Sequence, residues 1–397
     1  MGISIGTYLP PWGTERARVP GYDEDALTMA VEAGRLAIGE EVGITRVVFV
    51  SRELPLLEGG NSAPLLAGLR LGRDVEVVER IGGAPATLDA LTSAAPGTLV
   101  IGVDAGSAAG AAAALVAGSN PTSQVARVQR SMPQRTRLAN GQPGFNDDDP
   151  RMLREIGVRA SIEAAGLPGK PLAVAGLGAR DAASWSAPDA PALPTVGASS
   201  VLFAIAALTE AGRSGLVAAS EQAALSAANV DVSTGAVRRH ERPVQPPVKR
   251  RQTPGTGVRV SLAAYDRAFE AKVRWQAGKC TKCGTLAMPP RYHCLGCGVD
   301  DSWEYTPLPY TGTVYTTTTV HVPVPSLESP YTLAVVECDG VDVRVLMHVT
   351  DMPPGTVKIG GHGRLVLRRV AMRSGVPDYG YAFSPDMPDK DKRGGAQ

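Results

Sequence analysis

Residues 278–298 read GKCTKCGTLAMPPRYHCLGCG and contain four of the five cysteines in this chain of 397 residues. The cysteines form two C-x-x-C pairs with ten residues between the pairs, and a glycine directly follows each pair. Glycine favours the tight turn in which backbone amides approach the thiolates, as in a zinc knuckle. Four thiolates at this spacing can close a tetrahedron around Zn²⁺, which predicts a zinc site with the ligands Cys280, Cys283, Cys294 and Cys297.

Two other uses of these cysteines stay open from the sequence, a redox pair and a source of catalytic thiolate. A redox pair needs a lowered thiol pKa, usually at the start of a helix, and neither C-x-x-C pair opens a predicted helix. A site of four sulfurs has no open coordination position, so the metal is expected to stabilise the fold. His293 could substitute as a ligand but is expected to be a surface residue, and Cys338 is expected to be a small core side chain.

The composition is that of a folded chain, with 44% hydrophobic and 20% charged residues. The net charge of +1 gives no general attraction to nucleic acid or to an anionic membrane. Aromatic residues make up 5%, so the core is expected to consist of Ala, Val and Leu. The N-terminus, MGISIGTYLPPWG, lacks the pattern of a secretory signal, and no apolar run approaches the roughly 20 residues that span a bilayer. A cytoplasmic location with reduced thiols is therefore expected.

A change in composition at residues 237–259, VRRHERPVQPPVKRRQTPGTGVR, predicts an extended basic linker. Its charge could bind the phosphates of CoA or simply remain solvated. In residues 1–236, short strands alternate with Ala-rich helices, which predicts a layered α/β domain. The predicted strands are 3–9, 46–51, 75–80, 98–104, 171–177 and 215–220, and the predicted helices are 23–40, 62–70, 85–95, 150–165 and 198–212. The first of these helices is expected to carry acidic residues in its first turn, where the helix dipole favours them.

Two stretches of this region share one layout, an apolar helix, a turn with glycine and a buried strand. The glycines that open the two strands, Gly97 and Gly215, are 118 residues apart. This internal echo suggests two copies of one α/β unit.

The region after the linker has a different character. Residues 260–304 are expected to form a helix (261–278) and the zinc ribbon, and residues 305–385 read as β-branched, alternating strands that suit a small OB-fold barrel. The polar tail, residues 386–397, is expected to be disordered.

The stretches GTYLP, VPGYDEDALTMAVEAGRLAI and GLVAAS resemble hydroxymethylglutaryl-CoA synthase of the archaeal and bacterial type, over most of residues 1–230. That enzyme belongs to the thiolase superfamily, so the resemblance implies a core of two repeated α/β halves. CTKCG, MPPRYHCLGCG and YTGTVYTTTTV resemble the rubredoxin-like zinc ribbon and OB-fold family that accompanies thiolase-type enzymes, over about 265–385. Together they imply acyl-CoA chemistry.

The first resemblance implies a cysteine nucleophile at a helix N-terminus, a histidine after a central strand and a glutamate acid/base. These would fall close to Ala84, near Gly176–Gly178, and at or next to Arg52. Residues 1–239 contain neither cysteine nor histidine, so a Cys–His site cannot be assembled there. Glu53 is either a displaced acid or a surface residue.

Gly82 and Gly83, just before the expected nucleophile position, could let the backbone approach a thioester carbonyl as an oxyanion hole does. They could equally form a tight turn between strand and helix.

Two functions follow from this reading. The first is an accessory subunit with a degenerate thiolase-like domain, which pairs with itself or with a thiolase-family partner and supports acyl-CoA binding or transfer. The second is a cysteine-independent lyase or acyltransferase that uses tyrosine or carboxylate groups, with the candidates Tyr22, Asp23, Glu53 and Asp104.

Nucleic-acid binding by the barrel is a third interpretation. It rests on fold analogy and on the basic residues Arg364, Arg368 and Arg369, without an aromatic stacking platform.

Overall fold

A computed structural model of the chain describes residues 2–41, 43–137, 142–145, 149–252, 261–322 and 328–387. The chain divides into two compact units, and unit 1 comprises Met1–Pro20 and Asp25–Pro246. Unit 2 comprises Gly21–Glu24 and Pro247–Gln397. Among the helices of the described residues, none has both the length and the apolar character that crossing a bilayer requires.

Unit 1 contains fourteen strands and seven α-helices among its described residues. The strands are β1 (Ile3–Leu9), β2 (Trp12–Thr14), β3 (Ala17–Val19), β4 (Arg46–Ser51), β5 (Glu76–Ile81), β6 (Thr98–Asp104), β7 (Gly110–Val116), β8 (Thr122–Gln129), β9 (Arg135–Arg137), β10 (Pro143–Phe145), β11 (Ala173–Ala175), β12 (Gly215–Glu221), β13 (Ala224–Val230) and β14 (Ala236–Glu241). The helices are α1 (Ala26–Ile38), α2 (Ser62–Leu69), α3 (Ala84–Thr92), α4 (Pro150–Met152), α5 (Ala160–Ala165), α6 (Ala179–Trp185) and α7 (Ser200–Glu210). A π-helical segment, Leu153–Arg159, joins α4 to α5.

Two sheets organise unit 1. The larger has the strand order β14-β1-β7-β6-β4-β5, and the smaller has the order β11-β12-β13-β8. Helices α3 and α7 contribute to one core with the apolar side chains of both sheets, including Val100 of β6 and Val217 of β12. Helix α1 packs on the other face of the larger sheet, while side chains of α5 and α6 cover the far face of the smaller one. The layers are therefore helix, sheet, helix, sheet, helix.

The internal repeat suggested by the sequence corresponds to two equivalent helix–strand pairs in the structure. Helix α3 precedes β6, and helix α7 precedes β12, one pair for each sheet. The core residues of these elements are mostly Ala, Val and Leu, as the scarcity of aromatic residues implies. The predicted layered α/β arrangement is confirmed for this region, with one helix–strand pair of the repeat in each sheet.

Several sequence expectations need correction. The basic linker does not begin at residue 237, because Ala236–Glu241 is an edge strand parallel to β1. An edge strand tolerates basic residues because its outer side chains find other partners, as Arg239 does with Glu210 at 2.7 Å. The acidic residues expected in the first turn of α1 instead precede the helix, and Asp25 is its N-cap.

The run of small residues after β6 was not predicted to be a strand, but Gly110–Val116 is fully buried in the larger sheet. An alanine-rich strand buried on both faces has no alternation that sequence reasoning could detect.

The described part of unit 2 combines one helix, a ribbon and a barrel. Its elements are β15 (Arg251–Gln252), α8 (Leu262–Lys272), β16 (Gln276–Cys280), β17 (Leu286–Ala287), β18 (Trp303–Pro307), β19 (Thr311–Val320), β20 (Glu328–Ser329), β21 (Tyr331–Cys338), β22 (Arg344–His348), β23 (His362–Arg373) and β24 (Val376–Pro385). The helix expected over 261–278 ends at Lys272, because residues from Gln276 onward pair with β17 and β18 in a three-stranded sheet.

The barrel is a five-stranded antiparallel sheet with the order β22-β21-β19-β23-β24. A bridge between Val349 and Phe383 brings its two edge strands together, which closes the sheet. The zinc ribbon and OB-like barrel predicted for this region are thus confirmed. The tail predicted to be disordered is residues 386–397. Its residues from position 388 onward lie outside the part of the chain that the structure describes.

A buried charged cluster lies inside unit 2. The side chain of Arg368 is 0% exposed, and its guanidinium lies 3.0 Å from Asp351 and 3.5 Å from Glu24. Burial raises the pKa of Asp23, while Arg368 acts in the opposite direction. Arg368 is therefore a structural residue, which removes it from the basic surface that nucleic-acid binding would need.

His362, at the start of β23, lies between two carboxylates. Its Nδ1 is 2.7 Å from Asp386 and its Nε2 is 3.0 Å from Asp339. Hydrogen bonds to its two neighbours raise the pKa of His362, and the contribution of Asp386 is larger than that of Asp339.

Candidate functional site

The four cysteines of the ribbon converge on one point. Their Sγ atoms all lie within 4.8 Å of one another, with Cys280 and Cys297 3.8 Å apart and Cys283 and Cys294 3.5 Å apart. Tetrahedral zinc with Zn–S bonds of about 2.3 Å requires sulfur separations of about 3.8 Å. The donor set and its spacing therefore fit a structural Zn²⁺ ion, as predicted, and these four residues would hold it.

Each pair of cysteines lies on the same kind of turn. The Gly284 N–H donates to the Cys280 carbonyl at 2.9 Å, and the Gly298 N–H donates to the Cys294 carbonyl at 2.9 Å. Both glycines have positive φ, 77° and 73°, which explains their place after each pair. Neither pair opens a helix, so the geometry favours the metal over the redox alternative.

The sequence analysis considered two further residues, His293 and Cys338, and both have structural roles. His293 is exposed and lies 2.8 Å from Asp300, as expected for a surface residue. Cys338 ends β21 and is buried in the barrel.

The second candidate site lies in unit 1, where strands of both sheets end beside the start of α3. Ala84, at the expected nucleophile position, is the first residue of this helix. Its backbone N–H donates to Oε1 of Glu221 at 3.1 Å. Arg52, which follows β4, lies 2.6 Å from Oε2 of the same carboxylate. A carboxylate from the end of β12 thus occupies the space in front of the helix.

Glycines make this arrangement possible. A Cβ atom on Gly83 would lie 1.7 Å from Oε1 of Glu221. Gly176, at the expected histidine position, has φ 88°, and a Cβ there would lie 2.3 Å from the Ser220 carbonyl and 3.2 Å from the Ala84 Cβ. The predicted nucleophile and histidine positions are therefore neighbours, and both are occupied by residues without reactive side chains. Gly82 and Gly83 form the turn between β5 and α3.

Asp104 anchors the start of α7 in the same region. Its carboxylate accepts hydrogen bonds from the Ala198 N–H at 2.8 Å and from the Ser199 N–H at 3.0 Å. Burial raises the pKa of Asp104, and hydrogen bonds from Ser199 act against that rise. Burial likewise raises the pKa of Glu221, while the charge of Arg52 and the Ala84 N–H oppose it.

The structure separates the remaining candidates. Glu53 is exposed, and its N–H donates to the Ser51 hydroxyl at 3.1 Å. Tyr22 and Asp23 are in unit 2. Glu221 was missed by sequence reasoning, although its position directly at the end of a predicted buried strand was a usable signal.

A groove of about 840 Å³ lies within unit 2, bordered by α8, the ribbon and the barrel. Its lining is rich in aromatic side chains and includes two arginines at positions 267 and 373; the aromatic residues are Trp275, Trp303, Tyr305 and Tyr381. A volume of about 840 Å³ lies within the range of small-molecule sites.

Comparison with known families identifies the two C-terminal modules. The model described as "ChsH2, rubredoxin-like zinc ribbon domain" matches residues 274–304. The model described as "ChsH2, C-terminal OB-fold domain" matches residues 305–368. A DUF35 domain-containing scaffold protein of Methanocaldococcus jannaschii is 34% identical over 111 residues, which cover 27% of this chain and 78% of that protein.

Solved structures resemble separate parts of the chain. One described as "Ltp2-ChsH2(DUF35) aldolase" is 27% identical, with a TM-score of 0.27, over 30% of this chain and 93% of the other. The 3-oxoacyl-[acyl-carrier-protein] synthase III of Aquifex aeolicus is 16% identical, with a TM-score of 0.45, over 58% of this chain and 99% of the other. A variant of OleA from Xanthomonas campestris is 14% identical, with a TM-score of 0.46, over 58% and 98%.

Proposed function

Because the chain belongs to the family of DUF35 domain-containing scaffold proteins, we propose that it is an accessory subunit of an acyl-CoA-processing complex. In this proposal unit 1 is a degenerate thiolase-like domain that pairs with a thiolase-family subunit or with a second copy of itself. The zinc ribbon and barrel support acyl-CoA binding or transfer of an intermediate, and the reaction is of the thiolase, acyltransferase or aldolase type. The expected cytoplasmic location belongs to the same proposal.

The site in unit 1 carries the non-catalytic part of the proposal. Residues 1–239 lack the thiol and the imidazole of a Cys–His mechanism. The two positions where those groups are expected are Ala84 and Gly176, and Glu221 fills the space between the helix and the strand ends. A carboxylate bonded to a guanidinium at 2.6 Å is a poor nucleophile, because the ion pair stabilises its charge.

The groove in unit 2 supports the acyl-CoA part. An acyl thioester combines an apolar chain with anionic phosphates, and the groove offers apolar walls with the cations Arg267 and Arg373 at its lining. Lys272, the third cation of the lining, and Arg373 both pair with Asp378, at 2.5 Å and 2.7 Å, so Arg267 is the cation that we expect to contact a ligand phosphate.

A reconstitution assay tests the accessory role. The purified chain is assayed with acetoacetyl-CoA and with β-hydroxyacyl-CoA, first alone and then with a thiolase-type protein of the same organism. We expect turnover only with both proteins present, together with co-elution in size-exclusion chromatography. Robust turnover by the isolated chain would overturn the proposal.

Acyl-CoA binding is tested separately by calorimetry. Arg267→Ala is expected to weaken binding, and Arg344→Ala, at an exposed position outside the groove lining, is the control.

A cysteine-independent lyase or acyltransferase is the second candidate, favoured by one observation. Two buried carboxylates, Glu221 and Asp104, have raised pKa values in the region where the thiolase superfamily has its acid and base. For this second function we expect the isolated chain to turn over acyl-CoA. Glu221→Gln is expected to abolish that turnover without loss of folding.

A further inference from the structure

The carboxylate of Glu221 is held like a bound ligand. It receives the N–H of Ala84 at 3.1 Å on one oxygen and the guanidinium of Arg52 at 2.6 Å on the other. We propose that unit 1 contains a carboxylate-binding site and that Glu221 is its built-in ligand, which keeps the site closed to external anions.

The donors around the carboxylate come from separate parts of unit 1. Arg52 follows β4 of the larger sheet, Ala84 begins α3, and Glu221 ends β12 of the smaller sheet. Helix α3 has nine residues, so its N-terminus adds a partial positive charge beside the fixed cation of Arg52. The two oxygens of a carboxylate can accept from one backbone N–H and one guanidinium at the same time, as those of Glu221 do.

The space around Glu221 is shaped for an anion of this size. The side chain is 13% exposed, so the carboxylate is largely withdrawn from water. Gly83 leaves room for Oε1, because a Cβ there would lie 1.7 Å from that oxygen. Glu221 ends β12 at a tight hairpin, because the next residue, Gln222, has φ 47° and β13 begins at Ala224.

Truncation at position 221 therefore has a specific consequence. Glu221→Ala removes a group the size of acetate and leaves Arg52 and the Ala84 N–H facing the vacated space. Small carboxylates, formate and acetate, should then bind there, whereas butyrate exceeds the space. This inference stands apart from the accessory role, because no partner protein enters its test.

The experiment measures the thermal midpoint of the full chain in acetate and in chloride at equal ionic strength and pH. Glu221→Ala should lower the midpoint by several degrees, and acetate should restore most of the loss in a saturable manner while chloride does not. The double variant Arg52→Gln, Glu221→Ala should show no acetate-specific restoration. Glu210→Ala is the matched control, because it removes another glutamate that pairs with an arginine, but on the surface.

The possible outcomes separate clearly. Saturable, size-limited restoration that depends on Arg52 supports the site. Restoration by acetate that is no larger than in chloride, or that is equal in Glu210→Ala, overturns it, since it then reflects a general salt effect. If Glu221→Ala is recovered only as aggregate, the same comparison is made on refolding yield, and equal yields in the two salts overturn the proposal.

Discussion

Replacement of Arg368 by methionine should be among the most damaging single changes in unit 2. Arg368 is fully buried and is bonded to Asp351 at 3.0 and 3.2 Å, with Glu24 at 3.5 Å. Both carboxylates are at most 1% exposed, so removal of the guanidinium takes a close counter-charge away from two buried groups. Loss of one partner from a buried pair costs about 3–5 kcal/mol. Methionine keeps most of the volume, so the effect reports on charge more than on packing.

The matched control is Arg344→Met on strand β22 of the same sheet. Arg344 pairs with Glu337 at 3.3 Å, but both side chains are nearly half exposed, and such pairs contribute about 0–1 kcal/mol. The free energy of local unfolding is measured in the full chain by hydrogen exchange and mass spectrometry, on peptides from β23 and β24, across a series of urea concentrations.

The penalty of Arg368→Met should also depend on pH. Buried carboxylates that lose a close counter-charge have raised pKa values, so the folded variant binds more protons than the unfolded chain and loses stability as pH rises. The penalty is therefore expected to be larger at pH 7 than at pH 5. A loss in Arg368→Met no greater than that in Arg344→Met, or a penalty independent of pH, would refute the assignment of Arg368 as the counter-charge of this cluster.

Three further outcomes are expected. Cys283→Ser should lower bound zinc well below one ion per chain and expose the ribbon strands to exchange, because structural zinc contributes directly to folding, whereas Cys338→Ser should retain the metal. Gly176→Ala should cost at least about 1–2 kcal/mol in urea unfolding because it forces a positive φ of 88° and a clash with a carbonyl, while Gly178→Ala, with open space, should cost little. The pKa of His362 is raised by its two carboxylate neighbours, so its stabilisation is present below about pH 6.5 and is lost as pH rises through the raised pKa. Because this histidine is half exposed, His362→Gln should remove less than about 1 kcal/mol at pH 6 and nothing at pH 9; an equal loss at both values would contradict the reasoning.

The elements that sequence reasoning found are those with a strong local signal. Strands such as Arg46–Ser51 are continuous β-branched runs, and the C-x-x-C spacing specifies metal geometry almost without structural context. Strand β14 was read as linker because its residues are mostly charged, and only pairing with β1 reveals it. Strand β7 was missed because alanine is the strongest helix former and is depleted in strands, so its composition argues against the element that forms.

The site in unit 1 was predicted only in part. Arg52, Ala84 and Gly176 were expected from the family resemblance, and in the structure Arg52 and Gly176 each follow a strand while Ala84 opens a helix. Glu221 could not be assigned to them, because it belongs to the other sheet and is 137 residues from Ala84 in sequence. Contacts of this kind depend on tertiary packing, which local patterns do not encode.

Mass spectrometry after incubation with acyl-CoA tests the non-catalytic role of unit 1 most directly. The full chain, alone and with the thiolase-type partner, is treated with a labelled acyl-CoA, quenched and digested, and acylated peptides are mapped. We expect covalent acyl groups on the partner and none on residues 1–239. An acyl group mapped to a side chain within residues 1–239, formed at the rate of turnover, would contradict the proposal that this domain has lost its catalytic function.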